Sequence, residues 1–535
     1  VRGMLTEIRP NYAVGDVTAT QLTLSGGLIG FEVDHPTTGR IYRVVYNPGT
    51  ASANYTPSIA WTGPVRVHAS GQRHRPDWVP AATGPLPSTY LISPSTVLTI
   101  PAKAHVVIER SSSLVKADNA NTLNKTESWT TNPLIDGALG IWDSTVTTDN
   151  TTTIGSGLNL AGIQVTNPGG NIAINSGTSG VLAIGSAGID LSTSSRSLTL
   201  SAPMRFDSEQ TWSTGSFGTS GAAQIIANGN ITGSGKLNVV NASGRAVTLA
   251  GSNDFTGDVA IKSGALRITN SSSLGSGAKT IFINSATTNA LVLAGDGIVL
   301  PATMTVQSSN PNGTIINESG SNRIEGNIQL TAGAGGTRFT SQSGVLTIAG
   351  NIAPTTTGRT LDLRGAGSGI LSGDITDGSG TNTLSAITKN ETGTWTLSGT
   401  STHSASITLN AGTLENTGSI TTSGSFTSAA GAMYHASGTL TASAVTVAGA
   451  LDFVPPTIVT PTTTVALITN TGAAAVSGTF TGKANNSTFT AGGITWRIRY
   501  DAGTGNDIVL SADGAPIEQW RYTNYGSMLN SGPSL

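Results

Sequence analysis

Cysteine is absent from the 535 residues, which excludes disulfides, thiolate nucleophiles and cysteine-ligated metal centres. Charge is scarce as well. With 27 basic against 29 acidic residues the net charge is −2, and so neutral a chain offers little with which to neutralise a phosphate backbone, so nucleic acid is not an expected partner. No apolar run approaches the roughly 18 residues that a membrane-crossing helix needs, and no membrane insertion is expected. The opening stretch, VRGMLTEIRPN, also lacks the apolar core of a secretory leader. On that reading either a leader has been removed or the chain leaves the cell by another route, such as inside a virus particle. Low charge does not mean disorder here, because 37% of the residues are hydrophobic and disordered chains pair low hydrophobicity with high net charge.

Glycine is abundant, at 68 residues, alongside many Ser, Thr, Asn and Ala. The clearest unit is 389–414, KNETGTWTLSGTSTHSASITLNAGTL. Trp395 and Leu397 alternate with polar residues up to Ser-Gly, a polar turn follows, Ile407 and Leu409 alternate up to Ala-Gly, and a third run opens at Leu414. Period-two alternation broken by glycine predicts short strands with one buried face. Two signatures recur elsewhere. Apolar-x-apolar-x-Gly occurs at 247–251, 291–295, 346–350, 361–365 and 395–399. Gly, then Asn or Asp, then a β-branched residue occurs at 170–172, 229–231, 257–259, 326–328, 350–352 and 373–375. The intervals cluster near about 23 to 29 residues or simple multiples, the length of one solenoid coil. No coil can bury its apolar face alone, so coils stack about 4.8 Å apart, with Gly and Asn where the chain turns sharply. A row of β-sandwiches is the rival all-β reading, and it fits the steady turn interval less well.

The order of 389–414 resembles the autotransporter-associated β-strand repeat, in which a Gly-Thr-Leu-Thr-Leu-Ser-Gly core leads through a turn to an Ala-Gly-Thr-Leu close. His403 stands near the family's usual aromatic position, and Ala405 takes the place of a usual Gly. The resemblance covers about 150–511, is strongest at 246–268, 389–414 and 494–511, and implies an all-β, right-handed parallel β-helix exposed outside the cell. The segment 494–511, ITWRIRYDAGTGNDIVLS, resembles the terminal segment of such repeat passengers, so Asn506 and Asp507 are expected to be structural rather than calcium ligands. The string 517–532 resembles a spacer that follows these repeats in some bacterial surface proteins.

Texture divides the chain into a small antiparallel β domain at 1–115, a connector at 116–149 holding Trp129 and Trp142, the β-helix at 150–511, and a tail at 512–535. In the tail a short helix is expected over 516–522, with Asp513 as its cap. The first domain holds His35, His68, His74 and His105 and is expected to anchor or cap the array, whose ends would otherwise be open sheet edges.

Candidate chemistry is sparse. Asp362, Asp374 and Asp377, with Arg364, form the densest charged group, and a glycosidase would need two carboxylates about 5 to 10 Å apart; solvated charges and turn formers are the plainer reading. Glu318 and Glu325 form a second such group. The patch Arg66, Arg73, His74, Arg75 and Trp78 is a candidate docking surface, or an ordinary loop of the β domain. The histidines match no ligand spacing, so no metal and no cofactor are expected. No nucleophile elbow and no phosphate loop is present.

These features put a non-enzymatic attachment spike or fibre first. The rod would adhere to a cell-surface polysaccharide or another surface receptor, while the first domain would join virion or surface-structure proteins, and a homotrimer is the assembly a viral spike would take. Two alternatives stay open: a secreted, autotransporter-like bacterial adhesin, and a polysaccharide depolymerase on the same scaffold.

Overall fold

Alternation of the kind read at 389–414 can bury one face of a strand only if neighbouring coils repeat it in register, and the structure shows that register. The structure is a computed structural model and describes residues 18–35, 40–56, 65–68, 89–92, 97–100, 102–110, 113–130, 137–177, 179–215, 224–242, 244–284, 290–309, 315–331 and 336–529. The chain divides into two units, Val1–Asn238 and Val239–Leu535.

The first unit opens with an antiparallel sheet whose spatial order is Thr18–Thr23, Ile29–His35, Arg40–Tyr46, His105–Arg110, Val65–His68 and Thr89–Ile92. Its apolar cluster comprises Leu28, Val45, Tyr55, Leu98, Ile100, Val106 and Ile108. Asn47, buried beside it, donates from Nδ2 to the carbonyls of Ala51 and Ile100 at 2.9 and 2.8 Å. This is the small antiparallel domain expected from the Pro- and Gly-punctuated runs. Parallel pairing begins directly after it: Ser113–Val115 pairs with Ala138–Trp142, which pairs with Leu158–Val165. Residues 116–149, read from texture as a connector, thus carry a solenoid strand, and Trp129 packs edge-on against Trp142 at 5.6 Å. A second parallel ladder runs through Asn150–Thr153, Ile172–Asn175, Leu198–Leu200 and Ile225–Ala227.

The second unit shows the parallel β-solenoid at its most regular. One face holds Leu384–Lys389, Ser406–Leu409, Ser425–Ser428 and Ala444–Val447. A second holds Ser368–Leu371, Thr394–Leu397, Thr413–Asn416, Met433–Ala436 and Ala450–Phe453. The third holds Thr400–His403, Ser419–Thr422 and Thr439–Ala442, joined to preceding coils by the parallel bridges Ile352–Ile375 and Thr376–Thr402. Inward residues stack in columns. Gly369, Trp395, Leu414, Tyr434 and Leu451 stand in register, and a Cβ on Gly369 would lie 2.4 Å from the Trp395 ring.

Two features of the corners explain the two sequence signatures. In the column Gly326, Gly350, Gly373, Gly399, Gly418 and Gly438, a Cβ added to any glycine after the first would come within 2.0 to 2.5 Å of the preceding glycine's carbonyl oxygen. Only glycine lets successive coils approach so closely there. The residue after the glycine uses its side chain as a bracket. Asn327 Oδ1 accepts the Asn351 N–H at 3.0 Å, Asn351 Oδ1 accepts the Asp374 N–H at 3.0 Å, and Asp374 Oδ1 accepts the Thr400 N–H at 2.8 Å.

The array closes on antiparallel strands. Thr464–Asn470 pairs with Asp507–Ala512, which pairs with Ile494–Ala502, which in turn pairs with Thr488–Ala491. Trp496 packs edge-on against Phe453 at 5.1 Å. Such a change of direction covers the last coil's apolar face. Asn506 and Asp507 serve the same closure: Asn506 Nδ2 donates to the Gly472 carbonyl at 2.5 Å, and Asp507 Oδ1 accepts the Asn470 N–H at 2.8 Å. The helix is longer than expected, Pro516–Tyr525. Its cap also differs, because Glu518 Oε2 accepts the Ala515 N–H at 2.7 Å whereas Asp513 is paired with Arg497.

Candidate functional site

On the first face Arg338, Asp362, Thr388, Thr408, Thr427 and Thr446 form one outward column in register. Asp362 Oδ2 accepts from Arg364 Nε at 2.5 Å and Arg338 Nε at 3.1 Å, and its Oδ1 from Asn390 Nδ2 at 2.6 Å. Burial works to raise the pKa of this carboxyl, but the bonds from Arg364 and Asn390, with the Arg364 charge and the Arg338 bond, outweigh it and hold the group below its ordinary value. A general acid for glycoside cleavage needs the opposite shift. Arg364 also pairs with Glu391 at 3.3 Å, whose other oxygen accepts the Gly365 N–H at 2.8 Å.

The other two aspartates have different duties. Asp374 brackets Thr400 as described, and Asp377 Oδ1 accepts the Leu384 N–H at 2.8 Å and the Ser404 hydroxyl at 3.2 Å. Glu318 pairs with Arg267, and Glu325 with Arg323. Of the docking patch, Arg66 lies on the strand Val65–His68; Arg73, His74, Arg75 and Trp78 lie outside the described residues.

Sequence reasoning missed a set of buried polar side chains. Lys389 occupies the inward place that Leu363 and Leu409 hold in adjacent coils, and its ammonium donates to the carbonyls of Asn390, Glu391 and Ala411 at 2.8, 2.8 and 3.0 Å. Lys279 Nζ donates to the Phe255 and Leu274 carbonyls, each at 2.7 Å. Lys116 Nζ donates to the Ala117 and Asn119 carbonyls at 2.8 and 2.7 Å. Burial pulls each of these lysines down to about 8. His403 faces inward, its exposure 5%, and both ring nitrogens are buried without a hydrogen-bond partner. Burial lowers it to about 4, so near neutrality it is an uncharged ring. No alternation rule flags a lysine or histidine on an inward parity as special; only its parity within 386–389 or 400–403 hinted at burial.

The second and third faces differ outwardly. On the third, Thr376, Thr402, Thr421, Thr441 and Thr469 stand in one column, beside Thr400, Ser419 and Thr439. On the second, Thr396, Glu415, His435 and Asp452 are in register. His435 Nδ1 lies 2.8 Å from Asp452 Oδ2, its Nε2 lies 3.5 Å from Glu415 Oε1, and Thr396 Oγ1 donates to Glu415 Oε2 at 2.5 Å.

The fold and these columns define a parallel β-solenoid with chemically distinct outer faces. Within it, residues 246–268 and 387–415 match the family model described as passenger-associated-transport-repeat, in agreement with the resemblance at two of its three strongest stretches; 494–511 lies outside the match. The comparisons with curated proteins and with solved structures gave no match.

Proposed function

We propose that the chain is an extracellular, passenger-like solenoid that adheres to a neutral surface polysaccharide through the threonine columns of its third face. The observation that carries this reading is the two-column hydroxyl array at 400–402, 419–421 and 439–441, in register. Strands about 4.8 Å apart and alternate residues about 6.7 Å apart make a flat grid of hydroxyls. Sugar hydroxyls are recognised by many weak hydrogen bonds, each contributing about 0.5–1.5 kcal/mol. The repeat matches at 246–268 and 387–415 support a secreted passenger-like carrier over the virion spike that the sequence alone put first. The engagement of Asp362, Asp374 and Asp377 in ion pairs and turn bonds favours binding without cleavage.

The test is co-sedimentation of the full chain with insoluble neutral polysaccharides. Replacing Thr402, Thr421 and Thr441 together by Val is expected to weaken binding roughly tenfold or more by loss of three hydrogen bonds. Binding unchanged by that triple substitution, or no binding to any neutral polysaccharide, would overturn the reading.

A further inference from the structure

His403 ends the third-face strand Thr400–His403, at the corner where the chain turns toward the first-face strand Ser406–Leu409. Its side chain is 5% exposed, and neither ring nitrogen has a hydrogen-bond partner. Its neighbours along the axis are engaged elsewhere. In the following coil Thr422 stands in register with it, but the Thr422 hydroxyl donates to the Ala405 carbonyl at 2.6 Å. In the preceding coil the bridge Thr376–Thr402 brings Asp377 alongside, but Asp377 Oδ1 accepts the Leu384 N–H and the Ser404 hydroxyl. Asp377 is the charge that acts on the ring, and it favours the protonated form without outweighing burial. The strands Thr394–Leu397, Ser406–Leu409 and Ser419–Thr422 carry no titratable side chain. On Leu384–Lys389 the ammonium of Lys389 is held by three carbonyls.

We propose that His403 is an acid-sensitive latch: proton uptake by its ring opens the coil at 400–403 and loosens the third face locally, while distant coils stay closed. An imidazolium carries two N–H donors, and a buried charge with no partner has to be solvated. Water reaches both nitrogens only when the corner opens. The opening is local because each coil of a solenoid contacts only its neighbours, so one stretch can open without the whole. The open form, with an ordinary value of 6.5 against about 4 in the closed form, takes up the proton first. Opening is therefore suppressed above pH 6.5 and grows as pH falls toward 4, by roughly 30-fold between pH 7.5 and 5. Thr400 and Thr402, on the outer side of the same strand, belong to the hydroxyl grid, so acid also releases a bound polysaccharide. That consequence rests on the adhesive reading, whereas the latch does not.

The experiment is hydrogen exchange of the full chain at pH 7.5 and pH 5, read by mass spectrometry and corrected for the intrinsic pH dependence of exchange. Wild type is compared with His403→Phe and His403→Leu. In wild type the amides of 400–403 and of the paired strand 419–422 are expected to lose roughly 30-fold in protection at pH 5, while those of 247–249 and 361–363 keep theirs. Both variants are expected to hold the same protection over 400–422 at the two pH values. Their different side-chain sizes guard against a packing defect in either one. No acid-dependent loss in wild type, an equal loss in every coil, or a loss at 400–422 that persists in both variants would overturn the proposal. Exchange is measured without polysaccharide, so its outcome is separate from the adhesive reading.

Discussion

The coils around 337–364 and those at 406–447 share one inner plan and differ on the outside. Inwardly Thr337, Leu361, Ile387, Ile407, Phe426 and Val445 follow one another in register. Outwardly the earlier coils present Arg338, Asp362 and Arg364, bound together as an ionic group, whereas the later ones present Thr408, Thr427 and Thr446 in the same column. The difference teaches that alternation isolates the two sides of each strand. The inner parity must satisfy its neighbours above and below, while the outer parity is free to change from ionic to hydroxylic within a few coils.

Substitutions can break this division on either side. The largest effect is expected inside, where Trp395→Ala leaves a cavity between Gly369 and Leu414; we expect about 3–5 kcal/mol of lost stability, read as a fall in denaturant midpoint. His403→Leu is expected to act the other way, raising stability by about 1–3 kcal/mol because it removes a buried ring with no hydrogen-bond partner. It should also blunt acid sensitivity. With a folded-state value of about 4 against an ordinary 6.5, the unfolded chain takes up the proton first, so the wild type loses stability as pH falls from 6.5 toward 4.

The buried lysines give an effect of the same kind in alkali. Their folded-state values of about 8 lie below the ordinary 10.5, so the folded chain gives up protons first and stability rises as pH climbs from about 8. Above pH 10 the trend should turn over, because burial raises Tyr434 and Tyr500 to about 12 and the unfolded chain then ionises first. Lys389→Met is expected to flatten the rise by about 1–3 kcal/mol, measured as the slope of unfolding free energy between pH 8 and 10. Outside, Asp362→Asn should cost about 1 kcal/mol or less, and the cost should shrink with added salt, since the ionic group is partly solvated. Thr427→Ala, in the same outer column, should stay within about 0.5 kcal/mol of wild type.

Much of the inner plan was legible in the sequence. The run at 394–397 and the runs at 247–249, 346–348 and 361–363 became strands because their parity has only one apolar side. Asp374 was legible as a turn residue, since Asn and Asp after Gly recur at the corners. Coil length was less legible. Trp395 pairs with Leu414 and Leu414 with Tyr434, a step of about 19 to 20 residues rather than the 23 to 29 read from glycine intervals. Those intervals were taken mostly from the earlier, wider coils. The outer sites were hidden for the same reason. Glu415, His435 and Asp452 meet only because two adjacent coils have particular, unequal lengths, and one residue more in either would turn the side chain to the interior. The closure at 488–512 was visible as strands, but their antiparallel sense depends on which edge the last coil leaves open.

The stacked corner glycines have a consequence for how such a chain can change. Each marks the end of one circuit, and the next circuit needs only another glycine above it, as Gly399, Gly418 and Gly438 show, with Thr400, Ser419 and Thr439 following them in place of the Asn or Asp of the earlier corners. A whole circuit can therefore be duplicated or deleted between two of these glycines without disturbing the parity of the later coils, whereas a change of one residue cannot. The spacing of corner glycines is a record of permissible edits, and variation among related chains should accumulate in whole turns.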